Sequence, residues 1–199
     1  MKRLLCALAL SAAAVGADAA TITIDPSIQS TTVGSLVNAT VRIADLATGT
    51  APSLGGFDLN LSFDSSVLGF TGLSYGSGLD VLGLGSLQFS DTGTAGLLNV
   101  GEISFDSSAD LDSLQSDAFA LFTVTFQALA AGTSGLNLQI NSLADAAGLA
   151  LTASAINGSV GVAPVPLPAA AWLLCSGLAG LAGISRRRPT DVTTNLQGA

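Results

Sequence analysis

The sequence predicts an all-β fold, an antiparallel β-sandwich, flanked by an apolar segment at each end of the chain. Three observations carry this. Apolar and polar residues alternate with a period of two in several separate runs, the pattern of strands with one buried face. The runs are short and divided by turns rich in Gly, Ser, Asp and Pro, the punctuation of a sandwich or barrel. Between the terminal segments only Leu111 to Ala120 has any helical pattern, and a weak one.

In order, Thr21-Ile22-Thr23-Ile24 alternates before Asp25-Pro26 and reads as a first strand and turn. Val37, Ala39, Val41 and Ile43 alternate with Asn38, Thr40 and Arg42, giving a strand, and residues 47–56 read as a loop. Phe57, Leu59, Leu61 and Phe63 alternate with Asp58, Asn60, Ser62 and Asp64, the clearest strand of the chain. Asp64-Ser65-Ser66 turns, because Asp and Ser side chains bond their own backbone, and residues 67–70 return to the core. The glycine-rich stretch from Gly72 to Gly101 has room for short strands at 81–84, 87–89 and 97–100. Ser-Phe-Asp-Ser-Ser occurs at 62–66 and again at 104–108, which reads as two strand ends sharing one turn chemistry. Residues 122–127, 136–140 and 156–162 complete the strands, and residues 148–155 are apolar without a clear period.

The terminal segments have their own logic. Lys2 and Arg3 precede an apolar run from Leu4 to Val15, and Ala17-Asp18-Ala19 supplies small residues for cleavage before Ala20. This reads as a secretory signal peptide over residues 1–19, handled by a secretion translocon and signal peptidase. Near the other end, Leu167 to Ser185 holds 19 residues without charge. As a helix it would reach ~28 Å, close to the hydrocarbon thickness of a bilayer. Trp172 at one end and Arg186-Arg187-Arg188 at the other fit an interfacial aromatic and a cytoplasmic basic cluster. One C-terminal transmembrane helix is therefore expected. The predicted organisation is residues 1–19, a sandwich at 20–162, a membrane segment at 163–188 and a tail at 189–199.

Charge and composition exclude several functions. From Ala20 to Ala163 there are twelve acidic residues and one base, Arg42, a net charge of −11. Such a surface repels nucleic acid, and it suits either solubility outside a cell or attraction for cations and basic partners. The chain has no histidine, and its two cysteines, Cys6 and Cys175, lie in the terminal segments. That removes Ser-His-Asp and Cys-His catalysis, His or Cys zinc sites and an internal disulfide. A hydrolase of the two-carboxylate kind would have to use Glu102, the only glutamate. No partner carboxylate stands out, so the chain reads as non-enzymatic. No cofactor is indicated. Calcium is the one metal that Asp106, Asp110 and Asp112 would suit, with a solvated acidic loop as the alternative. Tyr75, the only tyrosine, is the candidate ligand contact, either a stacking platform for a sugar or a lid on the core edge. Asn38, Asn60 and Asn157 match glycosylation sequons, read here as chance.

Val165-Pro166-Leu167-Pro168-Ala169, the apolar run and the three arginines resemble the PEP-CTERM sorting signal in its VPLPA variant. The resemblance implies export in a Gram-negative cell and recognition by an exosortase. It also implies a membrane-anchored intermediate, release to the cell surface or matrix, and an association with exopolysaccharide and biofilm. Leu167 replaces the glutamate of the common form, and the tail from Pro189 extends past the family's usual end.

Three further segments resemble a cohesin-type module. They are Val33-Gly34-Ser35 before a strand, Gly56-Phe57 through Phe63-Asp64 to Val67-Leu68, and Phe122 to Ala128 followed by Gly132-Thr133. The resemblance implies a jelly-roll sandwich that binds a protein partner, a dockerin in one branch. Polysaccharide, the ligand of related carbohydrate-binding modules, is the alternative. No individual binding residue carries over.

Overall fold

The computed structural model describes residues 19–165, 173–174 and 176–179. The chain divides into two compact units, residues 1–164 and 165–199.

The first unit is a sandwich of two sheets. Its strands are β1 (Ala20–Asp25), β2 (Ile28–Thr32), β3 (Leu36–Ala44), β4 (Leu54–Ser62), β5 (Leu68–Tyr75), β6 (Ser86–Asp91), β7 (Leu97–Ser104), β8 (Phe119–Ala128), β9 (Gly132–Asp145), β10 (Ala153–Ile156) and β11 (Gly158–Ala163). One sheet runs β10-β1-β3-β8-β5 and the other β2-β11-β9-β4-β7-β6. From β3 onward the chain crosses between sheets at nearly every connection, which is the jelly-roll path.

Inward residues of both sheets make the core. Val37, Ala39, Val41 and Ile43 of β3 face Leu59, Leu61, Leu98 and Val100 of the other sheet, all of them buried. Phe57 stacks on Phe122 across the gap with ring centroids 5.9 Å apart, and Phe63 meets Phe126 at 4.9 Å. Such pairs add aromatic contact to simple burial.

The structure departs from the expected antiparallel plan at both ends. β1 ends at Asp25, and across Pro26 the chain changes sheet: β1 lies in one and β2 in the other. β10 and β11 make the same switch, and the two broken strands run side by side in parallel, β1 with β10 and β2 with β11. The strand expected at 81–84 is a loop. Asp80 Oδ1 accepts from the Gly85 N–H and Asp106 Oδ2 from the Val81 N–H, so side chains, not a ladder, satisfy this backbone. The weak helical pattern over 111–120 overlaps α1 (Ser108–Leu114) only at 111–114, and the helix is started by the Ser107 hydroxyl accepting from the Asp110 N–H. Phe119 already belongs to β8.

The expected transmembrane helix requires correction. Among the described residues no helix is long and apolar enough to cross a membrane. A bilayer demands ~20 consecutive apolar residues in one helix, and no described helix meets that requirement. The membrane partnership and the membrane-anchored intermediate lose their basis with it. Val165 is exposed coil, whereas Pro166, Leu167, Pro168, Ala169, Arg186, Arg187 and Arg188 lie outside the described residues. So does the signal region through Asp18, including Ala17. Ala19 is exposed, and Ala20 is buried in β1 with its N–H on the Thr152 carbonyl.

Candidate functional site

The two sheets present different outer faces. On the five-stranded sheet the outward residues are mainly threonines and Asn38, bonded to each other as Thr40–Thr123 at 2.9 Å and Thr125–Asn38 at 2.9 Å. The outer face of β9-β4-β7-β6 carries more chemistry. Register sets its residues in three rows: Ala144, Gly56, Ile103 and Leu87; then Ser142, Asp58, Gly101 and Phe89; then Gln139, Asn60, Asn99 and Asp91.

At the centre stands a carboxylate held by amides. Asp58 Oδ1 accepts from Asn99 Nδ2 at 2.6 Å and from Asn141 Nδ2 at 3.0 Å. Asn99 also donates to Asn60 Oδ1 at 3.0 Å, and Asn60 to Asn141 Oδ1 at 3.2 Å. Three strands thus fix four polar side chains in one pattern, with little rotamer freedom left to lose when something binds.

Beside the amides lies an exposed apolar edge. Phe89 remains 39 % exposed, and Leu87, Ile103 and Phe105 are exposed as well. Gly101 makes the arrangement possible. A Cβ there would stand 2.0 Å from Phe89 Cζ, so the ring lies flat over a position that only glycine leaves open.

A cleft of about 340 Å³ opens where this face meets α1 and the turn after β9. Phe89, Ile103 and Leu111 give it apolar walls, and Asp58, Asp106 and Asp145 give it carboxylates. Asp145 Oδ1 closes its own turn by accepting from the Ala147 and Leu149 N–H groups. Asp106 is only 8 % exposed, and its Oδ1 is buried with no hydrogen-bond partner.

The residues singled out from the sequence are scattered among other tasks. Asp110 accepts from the Ser107 hydroxyl at the start of α1, Asp112 from the Ser53 hydroxyl, and Asp106 from the Val81 N–H. These partners pull the three acids apart, and among the described residues no group of three metal-ligating side chains could hold an ion. The two Ser-Phe-Asp-Ser-Ser copies also differ. Asp64 closes its own turn onto Ser66, while Asp106 reaches across to another loop. The Ser66 hydroxyl, followed by the Ser66 N–H, holds the exposed Asp64 carboxyl below its ordinary pKa.

Tyr75 ends β5 with its ring against the core and its hydroxyl donating to the Phe89 carbonyl. Burial raises its pKa above the usual phenol value, and the nearby Glu102 carboxylate adds to the rise. Glu102 is 1 % exposed and accepts from the Ser86 hydroxyl and the Gln88 amide, so it faces the interior, not a cleft.

The amide-carboxylate centre was missed in the sequence, although Asp58 and Asn60 read correctly as outward positions. The available signal was the recurrence of Asn and Gln at outward positions of three strands, at 60, 99, 137, 139 and 141. Strand order is needed to bring them together.

Neither a family model nor a curated protein matches the chain. The assignment of residues 165–188 to a PEP-CTERM-type sorting signal is therefore corrected. The exosortase, translocon and signal peptidase that followed from the terminal segments have no support in these comparisons. Solved structures do match. A non-cellulosomal cohesin from the archaeon Archaeoglobus fulgidus is 23 % identical, with a TM-score of 0.55 over 78 % of this chain and 97 % of that one. The sixth cohesin of Acetivibrio cellulolyticus scaffoldin B, in complex with a Cel5 dockerin, is 15 % identical, with a TM-score of 0.59 over 73 % and 99 %. A type I cohesin–dockerin complex from Clostridium thermocellum gives 12 % identity and a TM-score of 0.60 over 74 % and 95 %. The sandwich of residues 20–163 has the cohesin fold.

Proposed function

We propose that the chain is a non-catalytic binding module whose outer β9-β4-β7-β6 face docks a protein partner. One observation carries this reading: the Asp58–Asn60–Asn99–Asn141 network lies beside an exposed edge of Leu87, Phe89, Ile103 and Phe105. A rigid polar centre beside uncovered aromatic and aliphatic side chains is the make-up of a protein interface, in which apolar anchors supply energy and fixed polar groups set register. A dockerin-type domain is the first partner to try, because several structures of this fold hold a dockerin. Catalysis is disfavoured by the chemistry present. Glu102 is sealed inside the sandwich, and a glycosidase needs two carboxyl groups facing one sugar.

The test uses the full-length chain as bait for dockerin-type domains and other exported proteins, alongside a glycan array. Wild type and Thr125→Arg, which alters the opposite sheet, should hold the same partner. Asn99→Arg should lose it, since it breaks the amide network and adds bulk at the centre of the face. Glycan binding abolished by Phe89→Ala, with no protein recovered by wild type, would replace this reading with polysaccharide binding.

A further inference from the structure

The docking reading leaves the acidic cleft at the upper edge of the same face unexplained. We propose that this cleft seats a basic side chain of the docked partner, a lysine or arginine whose aliphatic stem lies on Phe89, Ile103 and Leu111 and whose charged tip meets Asp106. The inference rests on the docking reading and adds the chemistry of one anchor.

Asp106 supplies the main argument. Buried carboxylate oxygens in folded proteins are paired, because an acceptor removed from water without a donor is costly. Oδ2 has the Val81 N–H at 2.7 Å, but Oδ1 is buried with no partner. Nothing lining the cleft is basic. Arg42, the only base between Ala20 and Ala163, lies on β3 of the other sheet, opposite Thr23 and Ala120 in register. A positive donor must therefore come from outside the module.

The shape selects the kind of donor. A bare divalent ion would need several oxygens converging at short range, and no three acids among the described residues converge. Lysine and arginine instead bring an apolar stem and a cationic end, and they bury the stem along apolar surface. The cleft offers that combination, with apolar walls from β6, β7 and α1 and carboxylates from Asp58, Asp106 and Asp145. The module's net charge of −11 would draw such a group in from a distance.

The test titrates full-length, ¹⁵N-labelled protein with Nα-acetyl-lysine N-methylamide and, separately, with the norleucine analogue, which keeps the stem and lacks the charge. The lysine probe should give saturable shifts at the amides of Val81, Asp106 and Leu111, and the norleucine probe none. Asp106→Asn should weaken the lysine probe about tenfold, the worth of one hydrogen bond to a charged group. If that variant does not fold, Nε-acetylation of the probe decides the point on the wild-type chain and should abolish the shifts. No saturable shift at these amides, or an equal response to norleucine, would overturn the proposal. The probe needs no partner, so this result is separable from docking. Thr125→Arg, on the opposite sheet, should leave the lysine titration unchanged. A partner retained by wild type without a lysine response would sink the basic seat alone.

Discussion

The Tyr75 hydroxyl donates a 2.7 Å hydrogen bond to the Phe89 carbonyl, joining the edge strand of one sheet to the edge strand of the other. The same contact fixes the backbone that carries the Phe89 ring over Gly101. Tyr75→Phe keeps the ring in the core and removes only this link. It should lower stability by about 1 kcal/mol, a typical net value for one hydrogen bond, as read by urea unfolding. An unchanged midpoint would show that the two edges are held by packing alone.

Tyr75 also gives the fold an alkaline limit. Its pKa is raised by burial and then by Glu102, so folding favours the neutral phenol. The contribution is fully present below the unfolded phenol value of about 10 and is lost as pH rises through the higher folded value. Tyr75 is the only tyrosine. Phenolate absorbance near 295 nm should therefore give a single midpoint above that of a free tyrosine, falling to the free value in urea. A midpoint at the free value in the folded chain would contradict the burial of the hydroxyl.

Gln115 holds the start of β4 from outside its ladder. Its Oε1 accepts from the Leu54 N–H at 2.6 Å, and its Nε2 donates to the Leu54 carbonyl at 2.9 Å and the Gly78 carbonyl at 2.8 Å. The side chain is only 3 % exposed, so water cannot replace it. Gln115→Leu keeps similar volume and strands three backbone groups. It should cost about 3 kcal/mol or more, whereas Ser113→Ala on exposed α1 should cost little. Equal melting temperatures for the two variants would count against the role given to Gln115.

Two glycines should respond differently to the same methyl group. At Gly76 a Cβ would stand 1.8 Å from the Ala120 carbonyl oxygen, which is backbone and cannot move aside cheaply. At Gly101 it would meet the Phe89 ring, which sits at an exposed edge and can swing away. Gly76→Ala should cost about 3 kcal/mol. Gly101→Ala should cost clearly less in thermal unfolding while displacing the ring from the docking face.

The strands with a strict period of two were legible because one buried face writes itself into every second residue, as at Phe57 to Phe63. The sheet switch at Pro26 was not, since β2 is half-exposed along its length and Ile28-Gln29-Ser30-Thr31-Thr32 shows no buried stripe. The docking face was legible only in fragments. Asp58 and Asn60 announce an outward face, but their neighbours Asn99 and Asn141 arrive through pairing with β7 and β9. Phe89 and Phe105 carry no sequence mark of being uncovered, and it is the absent side chain at Gly101 that lets Phe89 lie outside. The acidic run at 106–112 read as a possible cation loop because spacing along a chain does not reveal which backbone each carboxylate answers.

The side-by-side arrangement of the broken terminal strands sets the order in which this protein can fold. Ala20 pairs with Ala153 and Ile28 with Ser159, so each sheet ends in a pair that joins one strand from each end of the module. Contacts of such long sequence separation pay their loop-closure cost late and slow the search. A chain still emerging from the ribosome at β9 would have β1, β3 and β8 paired, but β1 would still lack β10 on its other side, and β2 would lack β11, its partner in the sheet. The sandwich can close only once β11 has been made, and a truncation before Ala153 should leave an open, association-prone edge instead of a smaller stable domain.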